Sequence, residues 1–375
     1  MYVQQKSEHL KNGLNNKMKK IKYILICVLM AFSVNLFAEN TEHAAEAHEE
    51  ANEKFDAGSF IFGHIGDSYE FHISEYNGHP ISVPLPVIVY SSERGWFCFS
   101  SSRVAHGHEY EGWFIAEGGS YDGKIVELNA AGEQVKPFDL SITKNVFALL
   151  LSCIILIAIF VPMANRYKKK PLGVPCTKDN ILEFVINYVE DDVIKPALGK
   201  NYLKFSPYLL TAFFFILINN LMGLIPIFPF GANLTGNISV TLVLALFTYL
   251  ITNIFGTKEY YKEIFWPEVP VFLKAPLPLM PLIEIIGTLT KPIALMIRLF
   301  ANIFAGHMII LVLMSLIFIF AGLMGVAVGA GVSVVSVAFS VFMYFLELLV
   351  AFIQAYVFTM LSAIFIGMSQ VEHHH

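Results

Sequence analysis

Apolar residues in this chain gather into long runs separated by polar segments, and the lengths of those runs predict most of the elements. The first run, Ile24–Phe37, follows the basic stretch Lys17-Met-Lys-Lys20 and Lys22 and ends in Leu36-Phe-Ala-Glu39. A basic start, a short apolar middle and a small residue at the end describe a secretory signal, with cleavage expected after Ala38. Met18 offers an internal start. The run falls short of the roughly 20 residues that a full membrane span needs.

Residues 39–143 change character. The opening Glu39–Ala57 is rich in Glu, Ala and His and carries too little apolar surface to order itself. Short β-like runs follow: Phe60–Phe62, Tyr69–Ile73, Val83–Tyr90, Trp113–Ala116 and Lys124–Leu128, punctuated by Gly, Pro, Asn and Ser. A small β-rich domain is expected here. Asn145–Met163 is then the first apolar run long enough to span. Asp179–Lys195 places Leu182, Val185, Ile186, Val189 and Val193 at helical spacing but is too short and too charged to cross, which predicts a helix on the membrane surface.

Pro207–Ile227 and Ile238–Phe255 form a hairpin of spans joined by the uncharged Pro229–Gly236, and a polar loop, Gly256–Lys274, follows. The last two runs, about Leu277–Leu323 and Val332–Met368, exceed any single crossing. As one helix the second would be about 55 Å long against a hydrocarbon core near 30 Å. Two arrangements fit: long, steeply tilted helices, or helices broken within the membrane. Gly322–Gly331 is the expected turn. The fold class is an all-α membrane protein with five membrane passes, the last two long and tilted, behind a small β-rich exoplasmic domain. Its segments are 1–38 (leader and signal), 39–143 (acidic domain), 144–371 (membrane domain) and 372–375 (polar tail or tag remnant).

Composition agrees, with 55% hydrophobic and 15% charged residues in 375 against about 25% charged in soluble domains. The net charge of −5 conceals an asymmetry. Residues 39–143 hold 18 acidic against 5 basic residues, whereas Arg166, Lys168, Lys169, Lys170 and Lys178 follow the first span without an acid until Asp179. Basic residues after a span mark the cytoplasmic side. The acidic domain is therefore expected outside, in the periplasm of a bacterial inner membrane, and the C-terminus inside. Cys27, Cys98, Cys153 and Cys176 form no CxxC pair, so no metal or redox framework is visible. His43, His48, His64, His72, His79, His106 and His108 are scattered through an acidic segment and read as solvated surface rather than a metal site.

The chemistry lies in the final pair of runs. Its ionisable residues are Glu284, Lys291, Arg298 and His307 on the first arm and Glu347 on the second. A guanidinium cannot shed its proton, and one in a bilayer costs at least about 2.5 kcal/mol, so Arg298 demands a partner or a wet cavity. On a helix Asn302, four residues on, shares its face. His307, nine residues on, lies on the opposite side about 13 Å along the axis, and Gln354 points the same way as Glu347. One side offers a permanent positive charge and the other offers groups that titrate.

The run Arg298-Leu-Phe-Ala-Asn302, Ala305-Gly306, Gln354-Ala-Tyr-Val-Phe358, Asn219-Asn-Leu-Met-Gly-Leu-Ile-Pro226 and Lys291-Pro292 resembles subunit a of F-type ATP synthases over about residues 138–370. The resemblance implies a non-catalytic, proton-translocating stator subunit without cofactor or metal. Its arginine, here Arg298 with Asn302 and Gln354 close by, faces a ring of c subunits and keeps two half-channels from short-circuiting. It also implies a b-type peripheral stalk and the lipid bilayer as partners, the F1 sector indirectly, and no nucleic acid.

His307 and Glu347 occupy positions where the best-studied bacterial members carry an acid and a histidine, the exchange expected of a spatial pair on one water-filled path. Glu284 matches a position associated with the cytoplasmic-side channel and alternatively reads as an interfacial residue. The alternative function is a secondary transporter binding an anion at the Arg/His/Glu set, which the lack of a second copy of the Arg298 segment disfavours. A third reading makes the chain chiefly a platform displaying the acidic domain. Within the leading reading, that domain is expected to serve assembly and to stand outside the proton path.

Overall fold

A computed structural model of the chain describes residues 58, 61, 65–76, 79–92, 94–105, 107–116, 118, 121–128, 132–169, 177–225, 229–265 and 279–370. The leader, Glu39–Ala57, His43, His48, His64, His106 and the tail 372–375 fall outside these residues. Eight short strands come first: β1 Glu70–Tyr76, β2 His79–Pro84, β3 Pro86–Ser91, β4 Gly95–Ser100, β5 Trp113–Ile115, β6 Ile125–Leu128, β7 Gln134–Val135 and β8 Phe138–Asp139. They make three antiparallel sheets, β1-β2, β4-β3-β8 and β5-β6-β7.

The β-rich expectation holds, with corrections. Ile61, in the expected run Phe60–Phe62, is helical. The run Val83–Tyr90 is divided at Leu85 between β2 and β3, because Leu85 turns into a buried position and its N–H bonds the Ser101 hydroxyl at 3.0 Å. The core of this region is Tyr69, Val87, Val89, Phe99, Val104, Trp113 and Ile125. At its edge the Tyr69 hydroxyl donates to the Asp139 carboxylate at 2.5 Å. Burial, reinforced by that bond and the carboxylate's charge, drives the Tyr69 pKa well above the usual tyrosine range.

Among the described residues eight α-helices follow: α1 Lys144–Lys169, α2 Thr177–Val189, α3 Lys195–Leu198, α4 Tyr202–Leu224, α5 Ile238–Ile254, α6 Lys258–Phe265, α7 Leu279–Met324 and α8 Val326–Ser369. A five-residue π turn, Glu190–Ile194, joins α2 to α3. The expected surface helix is thus α2 with its π turn, and part of the polar loop after the hairpin is helix α6. Helices α1, α7, α8 and the α2–α4 stretch are each long and apolar enough to cross a membrane. The 17-residue α5 bends by 103° into α6 and supplies a fifth crossing if that bent pair is one span.

Of the two arrangements open for the last runs, α7 and α8 are each continuous, with 46 and 44 residues and hence about 69 and 66 Å. The ten-residue turn expected at Gly322–Gly331 contracts to Gly325, whose φ of +90° is a conformation that glycine adopts without strain. Tight closure follows from small residues, since a β-carbon on Gly329 would stand 2.7 Å from that of Ala321.

The membrane core joins α2, its π turn, α4, α7 and α8 through Val189, Ile194, Leu209, Phe213, Ile216, Leu295, Leu299, Phe358 and Ile366. Outward-facing Ile154, Ile157, Ile283, Ile286, Ile297, Val334, Phe345 and Leu349 leave broad apolar faces on α1, α7 and α8, as a lipid or protein environment in the membrane requires. The β-rich region is not a separate body: it forms one compact unit with the helices.

Candidate functional site

Inside the bundle the polar side chains fall into two groups at different depths. In the first, His307 of α7 and Glu347 of α8 meet through Nδ1 and Oε1. Both are withdrawn from the surface, with side chains 18% and 3% exposed. Small residues make this possible: a β-carbon on Gly306 would stand 3.0 Å from Glu347 Oε1. One turn beyond Glu347, the Ala351 carbonyl accepts from Asn220 Nδ2 at 3.2 Å, and Asn220 Oδ1 accepts from the Thr235 hydroxyl at 2.6 Å. The α4–α5 connection is thereby drawn over the pair. A β-carbon on Gly223 would stand 3.4 Å from the Ala232 carbonyl oxygen, 3.7 Å from His307 Nε2 and 3.9 Å from the Asn233 Cα. Buried Asn219 Oδ1, Asn233 Nδ2 and Glu347 Oε2 lack a protein hydrogen-bond partner among the described residues. Such atoms lose several kcal/mol if left dry.

The second group centres on buried Thr248 of α5, whose hydroxyl pairs with Tyr208 at 2.8 Å and with Ser362 of α8 at 3.2 Å. It continues into a cleft lined by Thr248, Tyr249, Thr252, Tyr260, Thr288, Lys291, Pro292 and Phe365. Lys291 Nζ lies 5.7 Å from the centre of the Phe365 ring. Glu284, half-buried, stands one turn before Thr288, whose hydroxyl bonds its carbonyl at 2.9 Å.

Arg298 lies between the groups along α7, about 10 Å from Lys291 and about 13 Å from His307 along the axis. It is exposed, as is Asn302 on the same face, and makes no hydrogen bond or ion pair among the described residues. The contacts His307–Glu347 and Lys291–Phe365 set the antiparallel register of α7 and α8. Arg298 consequently stands about level with residues 356–358, within about one turn of buried Gln354. The structure therefore joins His307 to Glu347 and buries Gln354 beside Glu347's face of α8, but leaves Arg298 bonded to neither. Tyr208, Thr235, Asn233, Thr248 and Ser362 escaped the sequence reading; their signal was polarity within apolar runs, which fits ordinary interhelical bonding equally well.

A family model described as ATP synthase A chain matches residues 146–367, which is more than half of the chain. The chain belongs to the ATP synthase subunit a family. A second model, described as Domain of unknown function (DUF8433), matches residues 60–144, the β-rich region. Over 373 residues, covering 98% of this chain and 96% of the relative, the sequence is 35% identical to ATP synthase subunit a of Chloroherpeton thalassium. It is 46% identical over 253 residues to ATP synthase subunit a 2 of Chlorobaculum tepidum, covering 65% and 67%. It is 40% identical over 245 residues to ATP synthase subunit a of Myxococcus xanthus, covering 63% and 75%. As a subunit a, the chain is a multi-pass membrane protein and a non-catalytic part of the synthase.

Proposed function

We propose that this subunit a is the stator through which protons reach and leave a rotating c ring, with Arg298 as the fixed charge between two half-channels. The observation that carries the reading is the placement of one permanent cation midway between two separated polar groups on a helix that is otherwise apolar around it. A guanidinium exposed on an apolar membrane helix is tolerable only opposite an anionic partner or water, and a titrating carboxylate on a ring is such a partner. His307 and Glu347, with Asn219, Asn220 and Thr235 around them, form the inner end of the entry path from the outer side. The cleft at Thr248, Thr288 and Lys291, reaching toward Glu284, forms the exit path toward the inner side.

A proton arriving at the pair is passed to a ring carboxylate, and the ring must turn before that carboxylate can discharge on the other path. Arg298 keeps the passing carboxylate ionised, and its charge bars protons from crossing directly. Asn302 and Gln354 hold the guanidinium and its water by hydrogen bonds. The basic residues in the last turn of α1 support a β-rich region outside and a C-terminus inside, and b-type stalk subunits hold the chain against the ring's torque.

The test is Arg298→Ala in the assembled synthase. Proton-driven ATP synthesis should vanish while the subunit still inserts, and membranes should leak protons without turnover. Measurable coupled synthesis in that variant would sink the assignment.

A further inference from the structure

The β-rich region carries no assigned role, yet its contacts lead directly toward His307. The residues just before β1 are stitched to the start of α1: the Lys144 N–H bonds the Ser68 carbonyl at 2.9 Å, and the Asn145 N–H bonds Asp67 Oδ1 at 3.1 Å. These are donors that a helix start leaves without intrahelical partners. Phe71 of β1 and Leu85, just past the end of β2, share one buried cluster with Ala148 of α1 and Ala232 of the α4–α5 connection, and Val83 and Phe147 pack against it. The Phe71 and Phe147 rings meet edge to face at 5.5 Å. Ala232 is 2% exposed, and its carbonyl is among the groups that converge with His307 Nε2 around Gly223.

We propose that the β1–β2 hairpin is a positioning element for the proton entrance: by holding Ala232 it fixes the connection 229–237 over the His307–Glu347 pair. Ala232, Asn233, Leu234 and Thr235 of the connection are all buried. Its own backbone bonds are short-range, from Gly231 to Met222, Leu234 to Ala232 and Asn237 to Leu234. Among the described residues it is tied to α4 by the Gly231 N–H on the Met222 carbonyl and by Thr235 on Asn220. A non-helical segment over a membrane cavity needs packing to keep one conformation, and the hairpin supplies part of it at Ala232, whose carbonyl adjoins Gly223 together with His307 Nε2. The appended region is thus part of the entrance rather than only a platform for assembly, and the inference rests on the pair serving as the entry path.

Passive proton conduction through the membrane sector, after removal of the catalytic head and normalised to assembled complex, tests this. The double variant Phe71→Ala with Leu85→Ala should conduct at least about threefold more slowly per complex, and Leu85→Met with Phe71 intact should conduct at the wild-type rate. Ile125→Val, in the other β core, should leave conduction per complex unchanged. If the double variant does not assemble, Leu85→Ala alone should show a smaller loss in the same direction. Wild-type conduction per complex in the hairpin variants, whatever their abundance, overturns the inference. Glu347→Gln separates the two readings: if it blocks conduction while the hairpin variants conduct normally, only the hairpin's role fails. If Glu347→Gln itself conducts normally, the entry path is wrongly placed and the inference falls with it.

Discussion

Arg298 and His307 sit nine residues apart on α7 and are treated in opposite ways. The arginine is exposed and makes no ion pair among the described residues, whereas the histidine is largely enclosed and bonded to Glu347. A group that cannot neutralise itself stays exposed, while two groups that can exchange a proton are sheltered together. The helix period turns nine residues into opposite faces, so one helix serves both needs. The permanent charge lies on an exposed face of α7, and the titratable pair lies in the interior.

Replacing the permanent charge by one that can be lost should break this contrast most completely. Arg298→Lys retains a cation at neutral pH, but an ammonium lacks the rigid fork and loses its proton more readily when desolvated. ATP synthesis driven by a proton gradient should fall at least about 100-fold, and wild-type rates would show that any cation suffices. On the interior side, His307→Glu and Glu347→His should each slow proton transport about tenfold or more. Each single change sets two like groups in contact, which raises the cost of charging either. Combined, the exchange should recover more activity than either single variant. A double variant no better than the worse single one argues against coupling.

A finer test moves the pair without changing its chemistry. In Gly306→Ala the new methyl would stand 3.0 Å from Glu347 Oε1, so the carboxylate must shift by a few tenths of an ångström. Transport should slow by about two- to fivefold with assembly unchanged. Serine at the same position should be no better. Full activity in Gly306→Ala would mean that the His307–Glu347 contact tolerates displacement and that its geometry is not critical.

Much of this architecture was legible because a bilayer imposes strong rules on composition. Runs such as Asn145–Met163 and Ile238–Phe255 have one physical solution when water is absent, a helix that satisfies its own backbone. The helix period then placed Arg298 with Asn302, and opposed them to His307, before any coordinates. The β region resisted. Its strands β7 and β8 are two residues each, held by pairing to β6 and β3 rather than by any pattern of their own. Strand β4, Gly95–Ser100, went unread because its aromatic residues gave no clean alternation. The turn at Gly325 was overestimated because Gly322, Gly329 and Gly331 look like loop residues. In the structure they belong to helices and Gly329 allows the close approach to Ala321.

By itself the sequence determined the spans, their polarity of charge, and the residue types at Arg298, His307, Glu347 and Gln354, since hydropathy, charge and helical period are local properties of the chain. The tertiary structure alone decided which of those residues touch. His307 reaches Glu347 across 40 positions, Asn220 reaches Ala351 across 131, and Ala232 joins a buried cluster with Phe71 and Leu85 across well over a hundred. Such contacts depend on how helices pack and on which glycines let them approach, and no local pattern encodes the distance between two faces.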